Sequence, residues 1–185
     1  MFPNIDNELG VSACRKRLEE REVLFPSTDC IIEGLVISLE ENIAQFGTTV
    51  AKQHKGTAMG PHHSCSYADI AVDMEIDVKV MSPVINKYFN HIGIWARFRD
   101  DIYCCWLGTE DELLEFHSWV NQLSSSLKFT HEYSTDSIIV LDLEIYTNGQ
   151  CIATRQTCKA CDPHAYLQCL LPAILLTFVE TYLGA

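Results

Sequence analysis

Two short apolar runs around a charged tip constrain this chain more than any other feature. Ile92-Gly93-Ile94-Trp95-Ala96-Arg97-Phe98 precedes Arg99-Asp100-Asp101, and Ile102-Tyr103-Cys104-Cys105-Trp106-Leu107 follows. Runs this short, rich in β-branched and aromatic residues and split by a polar centre, predict a β-hairpin. The tip is costly, because adjacent carboxylates repel and the apolar strands beside them weaken their solvation. A divalent cation relieves that cost: Mg²⁺ takes one or two carboxylates together with waters and substrate phosphates. Two such ions roughly 3.5–4 Å apart would clamp both the attacking and the leaving oxygen of a phosphoryl transfer. A tight turn can aim Asp100 and Asp101 at one point, which a straight strand cannot. The competing reading is an Asp-Asp turn that is merely solvated.

The flanking segments supply a frame for that hairpin. Asp6 or Asn7 can cap a first helix running to about Glu22, and Ser27 can cap a second. Ile32, Leu35, Leu39, Ile43 and Phe46 recur at helical spacing, and Gly47 ends the second helix. Thr48-Thr49-Val50 reads as extended and Gly56 to Gly60 as a loop. A long helix is expected from about Ser64 to Tyr88, bent or divided by Pro83. Thr109-Glu110-Asp111-Glu112 fits a capping box, ahead of Leu113, Phe116, Val120, Leu123 and Leu127 on one helix face. Ile139, Leu141, Leu143 and Ile145 alternate as one period-two strand. Asn148-Gly149 turns it, and Cys151 to Thr157 returns. The predicted class is α+β, an antiparallel sheet with helices packed on one face.

Composition bounds the function. With 185 residues, 48% apolar and 21% charged, the chain is no disordered tail. A net charge of −12 gives no global basic footprint, so nucleic acid would have to meet a local patch or a separate domain. The nine cysteines are odd in number and irregular in spacing, which points to a reducing compartment. Cys104 and Cys105 read as buried small hydrophobes. The start, Met1 to Asp6, is neither basic nor a long apolar run, so no secretory signal is expected. The apolar stretch Leu170 to Leu183 carries Glu180 and Pro172 and is too short to span a bilayer. The expected location is therefore nuclear or cytoplasmic, with no membrane.

Other candidates are weaker. Cys158-x-x-Cys161 with His164 invites zinc, but structural zinc takes four ligands, and His62, His63 and Cys65 would complete it only if their loop packed nearby. Asp73, Glu75 and Asp77 read as a solvated acidic helix face. Lys52, Lys55, Arg97 and Arg99 would make a small basic patch, with Arg97 equally able to pair with Asp100 or Asp101. Trp95, Trp106 and Trp119 read as core.

Four blocks in one order resemble a known family. Phe98-Arg99-Asp100-Asp101 resembles the aromatic-x-Asp-Asp signature of reverse transcriptases, in the same strand-turn-strand setting. Gln53-His54-Lys55-Gly56-Thr57-Ala58-Met59-Gly60, continuing to Asp69, resembles the family's nucleotide- and template-facing loop and helix, in a form most like Penelope-like retroelements. Leu127-Lys128-Phe129-Thr130 and Val140 to Ile145 resemble the next palm strands. Lys159 to Leu167 resembles the junction of palm and thumb.

The resemblance implies a polymerase palm-like antiparallel sheet over residues 1–168, with 169–185 a divergent start of the thumb or an unrelated tail. It implies an RNA-directed DNA polymerase with Mg²⁺ or Mn²⁺ as cofactor. In that reaction the primer 3′-hydroxyl attacks the α-phosphate of a deoxynucleotide, and pyrophosphate leaves. Its partners would be an RNA template, a DNA primer and deoxynucleotides. Asp100 and Asp101 would be the catalytic metal ligands. Phe98 would lie near the primer end. Gln53, Met59 and Gly60 would line the incoming nucleotide, and Lys128 would help pyrophosphate leave. The family also needs a carboxylate on an earlier strand, which would fall just upstream of Met1, while Asp6 fits helix capping. On this reading the palm is truncated at its N-terminus, inactive as it stands and poorly stable at the open edge left beside its hairpin. Two alternatives remain: a non-enzymatic palm remnant acting as a scaffold, and a metal-dependent nuclease or phosphohydrolase.

Overall fold

The computed structural model describes residues 2–23, 25–148 and 151–157. It is mixed helix and sheet, and the chain divides into two compact units, Met1–Glu132 and Tyr133–Ala185. No helix among the described residues is long and apolar enough to cross a membrane. The zinc candidate around Cys158, Cys161 and His164 lies outside the described residues, as do the palm–thumb block and the expected boundary at residue 168.

The first unit opens with a short 3₁₀ turn (Phe2–Asn4), and Asp6 then caps α1 (Asn7–Glu19). The Asp6 carboxylate accepts from the backbone N–H of Glu8 at 3.0 Å and of Leu9 at 3.1 Å, so two of the helix's orphan donors are satisfied. Ser27 does the same for α2 (Thr28–Glu40) through the Cys30 N–H. The second helix stops before Ile43, contrary to the periodicity. Ile43–Phe46 (β1) and Thr49–Lys52 (β2) instead form a hairpin, with Phe46 opposite Thr49. The turn between them places Gly47 at φ +60, a conformation glycine adopts without strain.

After the loop comes α3 (His63–Val72), which passes directly into a π-helical turn (Asp73–Asp77) and a last helical turn, α4 (Val78–Val80). The helix ends eight residues short of the expected Tyr88. The residue before a proline is biased away from the α region, and Ser82 stands before Pro83. Asn86 then fixes the chain leaving it: its side-chain amide donates to the Val80 carbonyl at 2.7 Å, and its oxygen accepts from the Tyr88 N–H.

The hairpin forms as expected, with Ile92–Phe98 (β3) antiparallel to Asp101–Trp106 (β4). The strand expected across 139–145 is in fact two, in the second unit: β5 (Ser137–Val140) and β6 (Leu143–Thr147) pair antiparallel about a turn in which Leu141 has φ +57. A third strand, β7 (Ile152–Gln156), returns against β6, where Arg155 grips Glu144 in a two-pronged ion pair at 2.7 and 2.9 Å. Among the described residues the expected single sheet does not appear; they form three small sheets, β1–β2, β3–β4 and β5–β6–β7.

The core of the first unit gathers Ile5, Cys14, Ile32 and Leu39 with Tyr67, Val72, Ile76 and Val80 from the long helix. Helix α5 (Glu110–Leu123) closes it with Phe116 and Val120. Both halves of its capping box are present: the Glu112 carboxylate accepts from the Thr109 N–H at 2.8 Å, and the Thr109 hydroxyl accepts from the Glu112 N–H. The three tryptophans are packing residues. Trp106 stacks on Phe116 at 5.0 Å, Trp95 meets its edge at 6.1 Å, and Trp119 lies 5.9 Å away. This aromatic cluster seats the β3–β4 hairpin on α5.

Candidate metal and nucleotide site

Phe98 pairs with Asp101, so only Arg99 and Asp100 make the turn between the strands. A two-residue hairpin turn matches the right-handed twist of its strands only when its first residue has positive φ. Arg99 supplies it, at φ +58, without being glycine. Residues so placed persist where the surroundings over-determine them.

Side chains alternate along β3. Trp95 and Arg97 turn toward the helices, while Ile94 and Phe98 are exposed on the other face, Phe98 at 59%. Asp101, directly opposite Phe98, shares that outer face. Asp100 lines a small open cavity with Asn4, Val72, Leu127, Lys128 and Phe129. Its volume of about 80 Å³ is well below the roughly 300–1,000 Å³ of pockets that enclose a ligand, so any nucleotide would lie over it rather than in it. Both carboxylates are exposed, and neither takes a hydrogen bond or ion pair from another described residue.

The structure brings Lys128 to the same cavity as Asp100. Its ammonium donates to the Asn121 carbonyl at 2.6 Å and the Ser124 carbonyl at 3.0 Å, which occupies it at the C-terminal end of α5. Gln53, Met59 and Gly60 do not line that cavity. Gln53 bridges Asn42 and the Lys55 carbonyl and lines a separate depression with Asn7, Lys52 and His54. Met59 is 83% exposed, and Gly60 stands in open space at φ +143. The loop carrying them is nonetheless fixed at Gly56 and Thr57. The Thr57 N–H donates to the Phe2 carbonyl at 3.0 Å, and its buried hydroxyl bonds Ser64 at 2.9 Å. Gly56, at φ +70, lies against the Phe2–Pro3 backbone, where a Cβ would collide.

Three expectations about charge are overturned. Arg97 does not pair with Asp100 or Asp101. Its guanidinium bonds the Asp77 carboxylate at 2.6 Å and Asp69 at 3.2 Å, and its side chain is only 11% exposed. The acidic stretch is correspondingly not a solvated face. Asp77 also accepts from the Trp95 indole at 2.9 Å, and Asp73 pairs with Arg17. These contacts join residues 18 to 56 positions apart, a separation at which spacing rules carry no signal. The expected basic patch dissolves for the same reason. Arg97 is committed, Arg99 donates to the Cys65 sulfur, and Lys52 lies 3.8 Å from Glu41.

A divalent cation fits this site in part. Asp100 and Asp101 offer hard oxygen donors with no partner among the described residues, which suits Mg²⁺ or Mn²⁺. Asp101, however, shares the outer face of Phe98 and does not line the cavity of Asp100, so the turn does not bring both into that cavity as the sequence suggested. Among the described residues, no group of three His, Cys, Asp or Glu side chains stands together. Two carboxylates alone leave an octahedral ion dependent on waters and substrate phosphates for its other ligands. No family model, curated protein or solved structure matches this chain.

Proposed function

We propose that this chain is the palm segment of a reverse transcriptase of the Penelope-like kind, in which Asp100, with Asp101 beside it, serves a divalent metal during nucleotidyl transfer. One observation carries the reading: a two-residue turn exposes adjacent, unpartnered carboxylates while the neighbouring Arg97 is held away from them. The presence of Lys128 on the cavity lined by Asp100 supports it. When bound, the metal would supply charge neutralisation of the deoxynucleotide phosphates. The chain's own part is to present Asp100 beside Lys128 and to keep the exposed ring of Phe98 on the face where a primer end would rest. RNA template and DNA primer would be held weakly by this segment alone, because phosphate contacts dominate such binding and the cations near the hairpin are already engaged.

Mn²⁺ binding by the full chain, followed through water-proton relaxation, tests the metal role. Binding that Asp100→Asn removes supports the reading, and binding indifferent to Asp100→Asn ends it. Primer extension on an RNA template with Mn²⁺ tests the reaction. The two-carboxylate ligand set favours a second reading, a palm remnant that acts as a scaffold. Mn²⁺ binding without any nucleotide incorporation would favour that one.

A further inference from the structure

The turn that carries Asp100 asks an arginine to adopt a left-handed backbone conformation, and the structure supplies a reason that it can. Beneath the turn, the Arg97 guanidinium makes a set of bonds to three residues. Nε donates to the Asp77 carboxylate at 2.6 Å. Nη1 donates to the Asp69 carboxylate at 3.2 Å and to the Arg99 carbonyl at 3.1 Å, and Nη2 to the Asp69 carbonyl at 3.1 Å. The first two acceptors belong to the long helix. The third is the carbonyl of the strained residue itself.

The π-helical turn explains how two carboxylates eight positions apart reach one guanidinium. In an unbroken α-helix at about 3.6 residues per turn, Asp77 would sit about a fifth of a turn away from Asp69. A π turn absorbs one extra residue, so Asp77 takes roughly the angular place of a seventh residue, which is close to two full turns. The turn spans Asp73–Asp77, and the Val78 N–H reaching back to the Asp73 carbonyl marks it. Trp95 fixes the far side of the Asp77 carboxylate through its indole N–H.

We propose that Arg97 is a positioning residue, whose fork, seated on Asp69 and Asp77 by the π turn, holds the Arg99 carbonyl and so aims Asp100 at its cavity. Its bearing on metal binding rests on the function proposed above; the conformational claim stands apart from it. Charge alone predicts the opposite of positioning. A cation near a metal site repels the metal, so removing Arg97 would tighten Mn²⁺ binding if Coulomb repulsion were its only influence. Positioning predicts weaker binding.

The test uses the full chain with Arg97→Lys and Arg97→Gln. Lysine keeps the charge opposite Asp77 but lacks the planar fork that reaches several acceptors at once. Amide hydrogen exchange at Asp101, which pairs with Phe98 to close the turn, should accelerate about tenfold in Arg97→Lys, as expected for loss of a charge-assisted bond, while exchange in α1 and α2 stays unchanged. Mn²⁺ affinity should fall several-fold in both variants. Turn exchange and Mn²⁺ affinity within twofold of the parent, or tighter Mn²⁺ binding in Arg97→Gln, overturns the proposal. If Arg97→Gln fails to fold, Arg97→Lys decides alone. If the parent chain shows no Mn²⁺ binding that depends on Asp100, the proposed function fails, and turn exchange still decides whether Arg97 braces the hairpin.

Discussion

The first unit carries two hairpins closed by the same kind of turn, and they differ in what lies beneath. In β1–β2 the positive φ belongs to Gly47, which bears it without strain, and all eight strand residues are exposed. In β3–β4 it belongs to Arg99, and Trp95 on β3 and Trp106 on β4 rest on Phe116 of α5. A two-stranded hairpin is marginal by itself in water. The first therefore depends on its turn and its connections. The second is held by Trp95, Trp106 and Arg97 against α5 and the long helix, and that support lets it keep a backbone strain glycine would have avoided. Only the braced hairpin presents unpartnered carboxylates, which is where a fixed geometry has chemical use.

The largest break in this comparison should come from Phe116→Ala. Phe116 is 4% exposed and is the ring on which Trp95 and Trp106 rest. Its removal should cost about 3–5 kcal/mol in chemical denaturation. A loss below about 1 kcal/mol would mean that the hairpin is not seated on α5. Next in size is Gly56→Ala, which combines a positive φ with a Cβ that meets the Phe2–Pro3 backbone. We expect a loss of about 2 kcal/mol or more. A neutral result would show that the loop after β2 is as free as the hairpin before it.

Alkaline pH should act on the braced hairpin and the helical core together. Burial pushes the thiols of Cys104, on β4, and Cys14, on α1, up to about 11 from an ordinary 9.0. The folded chain then keeps protons that the unfolded chain has released. That contribution is whole below about pH 9 and is lost as pH rises through about 11. The melting temperature should therefore fall across this interval, and fall less in a Cys14→Ala, Cys104→Ala variant. An equal fall in the variant would assign the effect elsewhere. The smallest effect should be that of Phe46→Ala on the unsupported hairpin. Phe46 is 91% exposed, so stability should change by no more than about 0.5 kcal/mol. A larger loss would mean that β1–β2 has a covering surface of its own.

Local signals were legible where a residue acts on its own neighbours. Asp6, Ser27 and Thr109 cap helices because a short polar side chain reaches backbone two or three residues ahead. The 92–107 hairpin and its tip followed from apolar runs too short for helices. Misreadings arose where a local pattern had two solutions. Ile43 and Phe46 continue a helical spacing, yet the left-handed Gly47 makes them one side of a turn. Ile139 to Ile145 alternate as one strand, yet Leu141 reverses the chain between them.

By itself, the order of residues determined the α+β class, the caps, the hairpin and the exposed Asp100–Asp101 pair, because each depends on contacts within a few positions. Only the tertiary structure decided that Arg97 turns away from those carboxylates toward Asp69 and Asp77, that Asp77 is no surface charge, and that Lys128 shares a cavity with Asp100. The two Arg97 ion pairs cross 20 and 28 residues, and a π turn between their carboxylates brings Asp77 into line with Asp69. An ion pair of that span exists only once the core has brought helix and strand together, so no periodicity in the sequence could announce it.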